Sequence, residues 1–150
     1  MIRPFTLSDL DRILQIELQS FPKSPYDWAT FINLHYLHPE TFWVYVSPMI
    51  DRREGQILGY IVFTKEGHII SIAVHPHHRR TGIGKELLQM AMKDPSFKKM
   101  WAEVRRSNQG AQGFYLRLGF RITGEVPNYY GNEDALIVEK EVIGSKSFIA

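Results

Sequence analysis

The segment His78-Arg79-Arg80-Thr81-Gly82-Ile83-Gly84-Lys85 sets three full positive charges and two glycines where a strand-like run gives way to a helical one. The first turn of a helix carries N–H groups with no partner inside the helix, and the aligned peptide dipoles add partial positive charge there. Glycine has no Cβ, so a ligand can come close to the backbone. Arg79, Arg80 and Lys85 add formal charge, and the combination suits a diphosphate. The competing reading is a tight turn with solvated arginines. A nucleoside-triphosphate loop does not fit, because Arg79 stands where its first glycine belongs and Glu86 where Ser or Thr must follow the lysine. A dinucleotide fingerprint fails as well, since Leu87 occupies the place of the third small residue.

The elements that must position this loop follow from periodicity and punctuation. Met1–Phe5 reads as a short strand. Ser8 and Asp9 offer N-cap oxygens to a helix whose apolar face is Leu10, Ile13, Leu14 and Leu18. Two prolines, Pro22 and Pro25, end that helix, and Pro25 opens a second one carrying Trp28, Phe31, Ile32 and Tyr36. Thr41–Val46, Gln56–Thr64 and His68–Val74 are strand-like and joined by short polar turns, which predicts an antiparallel meander. Gly82 starts a helix with Ile83, Leu87, Met90 and Ala91 on one face. Met100–Arg105 is a strand, Asn108–Leu118 a helix closed by Gly119, and Phe120–Val126 and Asp134–Val142 are the last strands. Gly144–Ala150 reads as a loose tail.

Composition bounds the class. At 150 residues, with 44% hydrophobic and 23% charged content, the chain suits one globular α/β domain, residues 1–143, with the tail following. A net charge of +2 gives no reason to expect nucleic acid or membrane as a partner. With no cysteine, disulfides, cysteine-ligated metals and a cysteinyl acyl-enzyme are excluded. Met1-Ile2-Arg3-Pro4 lacks the apolar run of a signal peptide, so a cytoplasmic location is expected. His75, His77 and His78 cluster without an acidic residue at matching spacing, so phosphate or solvent contacts are expected of them and no metal site.

Arg79-Arg80-Thr81-Gly82-Ile83-Gly84, preceded by Ile72-Ala73-Val74, resembles the R/Q-x-x-G-x-G/A motif of GNAT acetyltransferases and the strand before it. Asn108 with Tyr115-Leu116-Arg117-Leu118-Gly119-Phe120 is similar to the second signature of that family. The similarity spans the chain from the first helix to the Asp134 strand. It implies the GNAT fold, an α+β arrangement with a mixed, mostly antiparallel sheet of about seven strands flanked by about four helices. It also implies acetyl-CoA as cofactor, with coenzyme A as product. The pantetheine arm would then pair with the edge of Ile72-Ala73-Val74, as an added strand does. The pyrophosphate would rest on N–H groups from Arg80 to Lys85, with Asn108 and Tyr115 meeting the cofactor from one helix face.

Acetyl transfer to an amine needs a neutral nitrogen, a stabilised oxyanion and a proton for the departing thiolate. Without cysteine, direct attack in a ternary complex is favoured. An α-amino group with a reference pKa of about 7.7–8.0 is roughly a tenth neutral near pH 7, so a carboxylate acting through water suffices as base. Glu103 is the candidate: Glu103-Val104-Arg105-Arg106-Ser107-Asn108 resembles the Glu-Val-Arg-x-Ser-Asn of RimI-type ribosomal-protein N-acetyltransferases, which implies a base at this glutamate. Read from the residues alone, a surface glutamate or a partner for Arg105 is the alternative. Tyr115 is the matching acid, its alternative being a tyrosine packed on an amphipathic helix. His68 is a candidate second base or water-holder, set against a solvent-facing strand end.

Two segments bear on the acceptor. Phe21-Pro22-Lys23-Ser24-Pro25-Tyr26 and Asn128-Tyr129-Tyr130-Gly131-Asn132-Glu133-Asp134-Ala135 resemble the loop and hairpin with which N-terminal acetyltransferases clamp a peptide. Phe21, Pro22 and Tyr26 would line the first-residue pocket, and Tyr129 and Tyr130 would bond peptide backbone. Both segments could instead pack as aromatic-rich turns on the core. Lys23 stands where NatA-type subunits carry a glutamate, so their preference for small first residues does not transfer. The Phe-Pro opening resembles that of enzymes accepting methionine and that of RimI, and the expectation is a relaxed acceptor range of protein or peptide N-termini starting Met, Ala or Ser. A small-molecule or lysine-side-chain acetyltransferase would share the cofactor machinery, and an acetyl-CoA sensor would lack catalysis.

Overall fold

The computed structural model describes residues 1–94 and 96–142. The tail expected from Gly144, and the domain boundary with it, lie outside the described residues. Among the described residues seven strands and four α-helices follow one another in the expected α+β order: Ile2–Pro4 (β1), Leu10–Ser20 (α1), Trp28–Leu37 (α2), Phe42–Val46 (β2), Ile57–Phe63 (β3), Ile69–Val74 (β4), Ile83–Met92 (α3), Lys99–Arg105 (β5), Gln109–Arg117 (α4), Arg121–Val126 (β6) and Ala135–Glu141 (β7). Hydrogen bonding groups the strands as β1-β2-β3-β4 and β5-β7-β6. The chain forms two compact units, one of Met1–Thr64 with Ile70–Ala91, the other of Lys65–Ile69 with the chain from Met92 onward.

In the first unit β2 pairs antiparallel with β3, as the meander predicts, and β1 adds an antiparallel strand on the other edge of β2, a pairing outside that prediction. β3 is buried along its whole length, which explains why its residues run almost unbroken as Ile57-Leu58-Gly59-Tyr60-Ile61-Val62-Phe63 instead of alternating. An aromatic cluster fills the core. Phe5 stacks on Phe42 at 4.1 Å, and Phe31 sits edge-on to Tyr60 at 5.6 Å.

Three helix readings change. Asp9 stands at the N-cap position of α1 without a side-chain capping bond to it; its carboxylate instead closes the short 3-10 turn Leu7–Asp9, accepting the Thr6 N–H at 2.9 Å and pairing with Arg3. The buried stripe of α1 is Ile13, Ile16 and Glu17, whereas Leu18 is 58% exposed. Asp27 caps α2 by accepting the Thr30 N–H at 2.9 Å, so the helix starts later than Pro25, and Trp28 and Tyr36 face solvent while Phe31 and Leu34 are buried. In α3 the buried face is Ile83, Leu87, Leu88 and Ala91; Met90 is exposed.

In the second unit β7 runs antiparallel between β5 and β6, with Glu103 opposite Ile137 and Arg105 opposite Ala135. β5 alternates strictly: Met100, Ala102 and Val104 are buried, while Trp101, Glu103 and Arg105 share the other, partly open face. Gly119 follows α4 at φ +91°, the left-handed closure expected there.

Candidate functional site

The phosphate-type loop is built in the first unit by the end of β4. The His75 N–H donates to the Leu58 carbonyl at 2.7 Å, and Pro76–His78 then makes one 3-10 turn. The buried His75 ring closes that turn, its Nδ1 accepting the His77 N–H at 3.2 Å. Burial first, and then the nearby Arg12, His77, His78 and Arg79, lower its pKa, which fits a neutral ring with its proton on Nε2. His77 and His78 pack edge-on against it, and among the described residues no group of His, Asp or Glu side chains is arranged to hold a metal ion.

Beyond the turn, Arg80 at φ +65° and Gly82 at φ +89° bend the backbone through the left-handed region on either side of Thr81. The Thr81 hydroxyl secures the bend by donating to the His78 carbonyl at 2.6 Å. A Cβ built on Gly82 would meet nothing within 4 Å, so the space beside the loop is open. The Glu86 N–H to Gly82 carbonyl bond is the first of α3, and the N–H groups of Ile83, Gly84 and Lys85 precede it. Exposed Arg80 and Lys85 flank them. This arrangement fits a diphosphate. The Arg79 guanidinium is turned onto protein groups instead, donating to the Val74 carbonyl and to Ser20 Oγ, each at 3.1 Å, and so braces the end of β4 on the end of α1. Ile72, Ala73 and Val74 stand in β4 immediately before it.

In the same unit Phe21 packs against the core, and Pro22 through Pro25 are exposed. Tyr26, also exposed, turns the edge of its ring to Phe31 at 5.9 Å.

The acid–base candidates gather in the second unit. Gly67, at φ +104°, lets two backbones touch: a Cβ there would fall 2.0 Å from the Lys99 carbonyl oxygen. The Trp101 N–H donates to the Gly67 carbonyl at 3.0 Å, and His68 forms a parallel bridge with Trp101. His68 thus precedes β4, which starts at Ile69, one residue later than the expected His68–Val74. Its ring stacks on the Trp101 indole at 5.1 Å with 5° between planes. So held, Nε2 lies 2.7 Å from Glu103 Oε2, with 30% and 19% of the two side chains exposed.

Three tyrosines attend the same glutamate. Tyr115 is buried in α4 beside Phe114 and Phe120. Burial, with smaller contributions from Tyr130 and Glu103, pushes its phenol far above the ordinary tyrosine value. Burial and then Glu103 raise Tyr129 too. The Tyr130 hydroxyl donates to the Glu103 carbonyl at 3.4 Å. Asn108 is the N-cap of α4, its Oδ1 accepting the Ala111 N–H at 3.0 Å, so its side-chain oxygen serves the helix.

The sequence reading missed the residues that hold this cluster. Trp101 supplies the surface on which His68 lies. Arg105 stacks over the Tyr130 ring at 4.1 Å and pairs with Glu133 at 2.8 Å. Glu133 also accepts from the Ser107 N–H and hydroxyl at 3.1 and 3.0 Å, pinning the β6–β7 turn to the chain after β5. The two-residue spacing of Trp101, Glu103 and Arg105 was the available signal, since alternate strand residues share a face.

Comparison with known proteins agrees with this architecture. The family model of the Acetyltransferase (GNAT) family matches residues 9–120. An N-alpha-acetyltransferase of Sulfurisphaera tokodaii is 31% identical, over 91% of this chain and 90% of its own. A Bacillus subtilis protein, provisionally described as a ribosomal protein bS18-alanine N-acetyltransferase, is 30% identical over 91% of this chain and 92% of its own. The crystal structure of Ard1 from Thermoplasma volcanium superposes with a TM-score of 0.82 at 28% identity, covering 96% of this chain and 98% of that one. With its glycine loop, its β5 face and this match over most of its length, the chain belongs to the GNAT family of acetyltransferases, whose members use acetyl-CoA.

Proposed function

We propose that this acetyltransferase transfers the acetyl group of acetyl-CoA to the α-amino group of protein or peptide N-termini, by direct attack of the amine. The observation that carries the reading is the cluster on the open face of β5, where Glu103 meets His68 and has Tyr115, Tyr129 and Tyr130 around it.

The first unit supplies the grip. The loop N–H groups of Ile83, Gly84 and Lys85, with Arg80 and Lys85 beside them, would hold the pyrophosphate, and the edge of Ile72-Ala73-Val74 the pantetheine. The second unit supplies the proton chemistry. Glu103 takes the proton that the ammonium must lose, directly or through water. His68, with its proton on Nε2, donates to the carboxylate and fixes its direction. The amine nitrogen bonds to the thioester carbonyl carbon, the C–S bond breaks, and the sulfur leaves with a proton from the Tyr115 hydroxyl. The second proton that the nitrogen sheds as the amide forms returns to the Tyr115 oxygen through water. A phenol with a reference pKa of about 10 holds its proton at neutral pH. Tyr129 and Tyr130 offer hydroxyls, and Phe21, Pro22 and Tyr26 an apolar wall, for the first residues of a peptide. The N-alpha activity named for relatives at about 30% identity supports an N-terminal acceptor.

The test is a panel of peptides with acetyl-CoA, some with free N-termini and others N-blocked with an internal lysine. Transfer to free Met, Ala and Ser starts is expected. Transfer confined to blocked peptides, or tight acetyl-CoA binding with no transfer to any amine, would overturn the proposal.

A further inference from the structure

Glu17 lies on the buried stripe of α1 with 2% of its surface exposed, at a position where leucine would continue the stripe and lose no hydration. Its two oxygens reach different parts of the first unit. Oε1 accepts the hydroxyl of fully buried Tyr60 on β3, and that hydroxyl is also 2.8 Å from Ser71 Oγ on β4, next to Ile72. Oε2 accepts the backbone N–H of Tyr26 at 2.9 Å. Tyr26 ends the Phe21–Tyr26 segment, whose interior residues are exposed. Burial raises the carboxyl pKa against the opposing pull of these three partners. Keeping a carboxyl group in an aromatic core is costly compared with an apolar residue of like volume.

From this geometry we infer that Glu17 is a positioning residue for acceptor binding, a buried strut that sets the Phe21–Tyr26 segment in register with the strand carrying Ser71-Ile72-Ala73-Val74. The inference rests on the reading of that segment as part of the acceptor site. Glu17 touches no reacting atom; it acts through the Tyr26 backbone. Glutamine can reproduce the connections, its oxygen accepting the Tyr26 N–H and its amide donating to Tyr60. Leucine or methionine preserves the packing and removes every polar tie.

The experiment compares wild type, Glu17→Leu and Glu17→Gln by amide hydrogen exchange and steady-state kinetics, with Glu17→Met replacing the leucine variant if that one does not fold. Exchange at the Tyr26 amide should accelerate in Glu17→Leu, with Ile13 and Ile16 amides unchanged. The peptide KM should rise about tenfold, the factor expected for one lost buried hydrogen bond. The acetyl-CoA KM should change less than twofold, kcat should stay within about threefold, and Glu17→Gln should restore the peptide KM. An unaltered Tyr26 exchange rate overturns the inference and leaves the proposed activity standing. Accelerated exchange with an unchanged peptide KM overturns it too. A wild-type enzyme that acetylates no free N-terminus defeats the parent reading before any variant is made, and the KM comparison then uses the amine that is accepted.

Discussion

His68 Nε2 stands 2.7 Å from Glu103 Oε2, although the two residues are 35 positions apart in the chain. The contact exists because Gly67 allows its backbone to lie against Lys99, which sets His68 level with Trp101 and turns its ring flat onto the indole. A carboxylate that accepts a hydrogen bond from a stacked imidazole has its orientation fixed before any amine arrives. Glu103→Gln should therefore lower kcat by about a hundredfold with little change in acetyl-CoA affinity. His68→Ala should lower it less, and the double variant should fall short of the product of the two, because both act through one hydrogen bond. Strictly multiplicative losses in the double-variant cycle would show that the two residues act independently.

Tyr115 and Tyr60 both have phenols raised above the ordinary tyrosine value, chiefly by burial. In the unfolded chain they titrate near the reference value of about 10, so above that pH the unfolded state sheds protons that the native state retains. Stability is complete below about pH 10 and falls as the pH climbs toward the folded values. Urea midpoints measured between pH 8 and 11 should drop on the alkaline side, and Tyr115→Phe should make that drop shallower. At neutral pH the same variant should cut kcat about tenfold or more while the fold persists. A wild-type midpoint that is level through pH 11 would contradict the raised phenols.

Much of the fold was legible because the signals were local. The meander of β2, β3 and β4 shows in runs of branched and aromatic residues between polar turns, and the grip loop shows in its glycines. What was not legible depended on partners far along the chain. Leu18 looks like a core residue at helical spacing, but the adjacent stripe position, Glu17, is the one buried, because Tyr60, Ser71 and the Tyr26 backbone are there to satisfy it. Glu103 could be singled out as an acid in a strand, yet its partnership with His68 could not be read without the Gly67–Lys99 approach. Arg79 looked like a phosphate ligand by type, and only the positions of Val74 and Ser20 show where its guanidinium is spent.

Gly82 gives a direct test of the grip. Its φ of +89° disfavours any side chain, yet an added Cβ would meet no protein atom within 4 Å. Gly82→Val should therefore cost modest stability through backbone strain while filling the space that the cofactor is proposed to use. Acetyl-CoA affinity by calorimetry should fall at least about tenfold, with Tm lowered by only a few degrees. Undiminished binding would place the pyrophosphate elsewhere.

Arg105 governs the β6–β7 turn rather than the chemistry. Its guanidinium lies over Tyr130 and is paired with Glu133, which in turn holds Ser107. Lysine keeps the charge but lacks the planar fork that stacks and bonds at once. Arg105→Lys should loosen Tyr130 and raise the peptide KM about fivefold, a loss on the scale of a cation–π contact of about 1 kcal/mol. Acetyl-CoA affinity should be untouched. Since Tyr130 itself donates to the Glu103 carbonyl at 3.4 Å, Tyr130→Phe separates the two effects: it keeps the ring under Arg105 and removes only the hydroxyl. Because the Tyr130 hydroxyl is proposed to serve the acceptor, Tyr130→Phe should raise the peptide KM as far as Arg105→Lys does. If the ring is the working part, Tyr130→Phe should leave the peptide KM at the wild-type value.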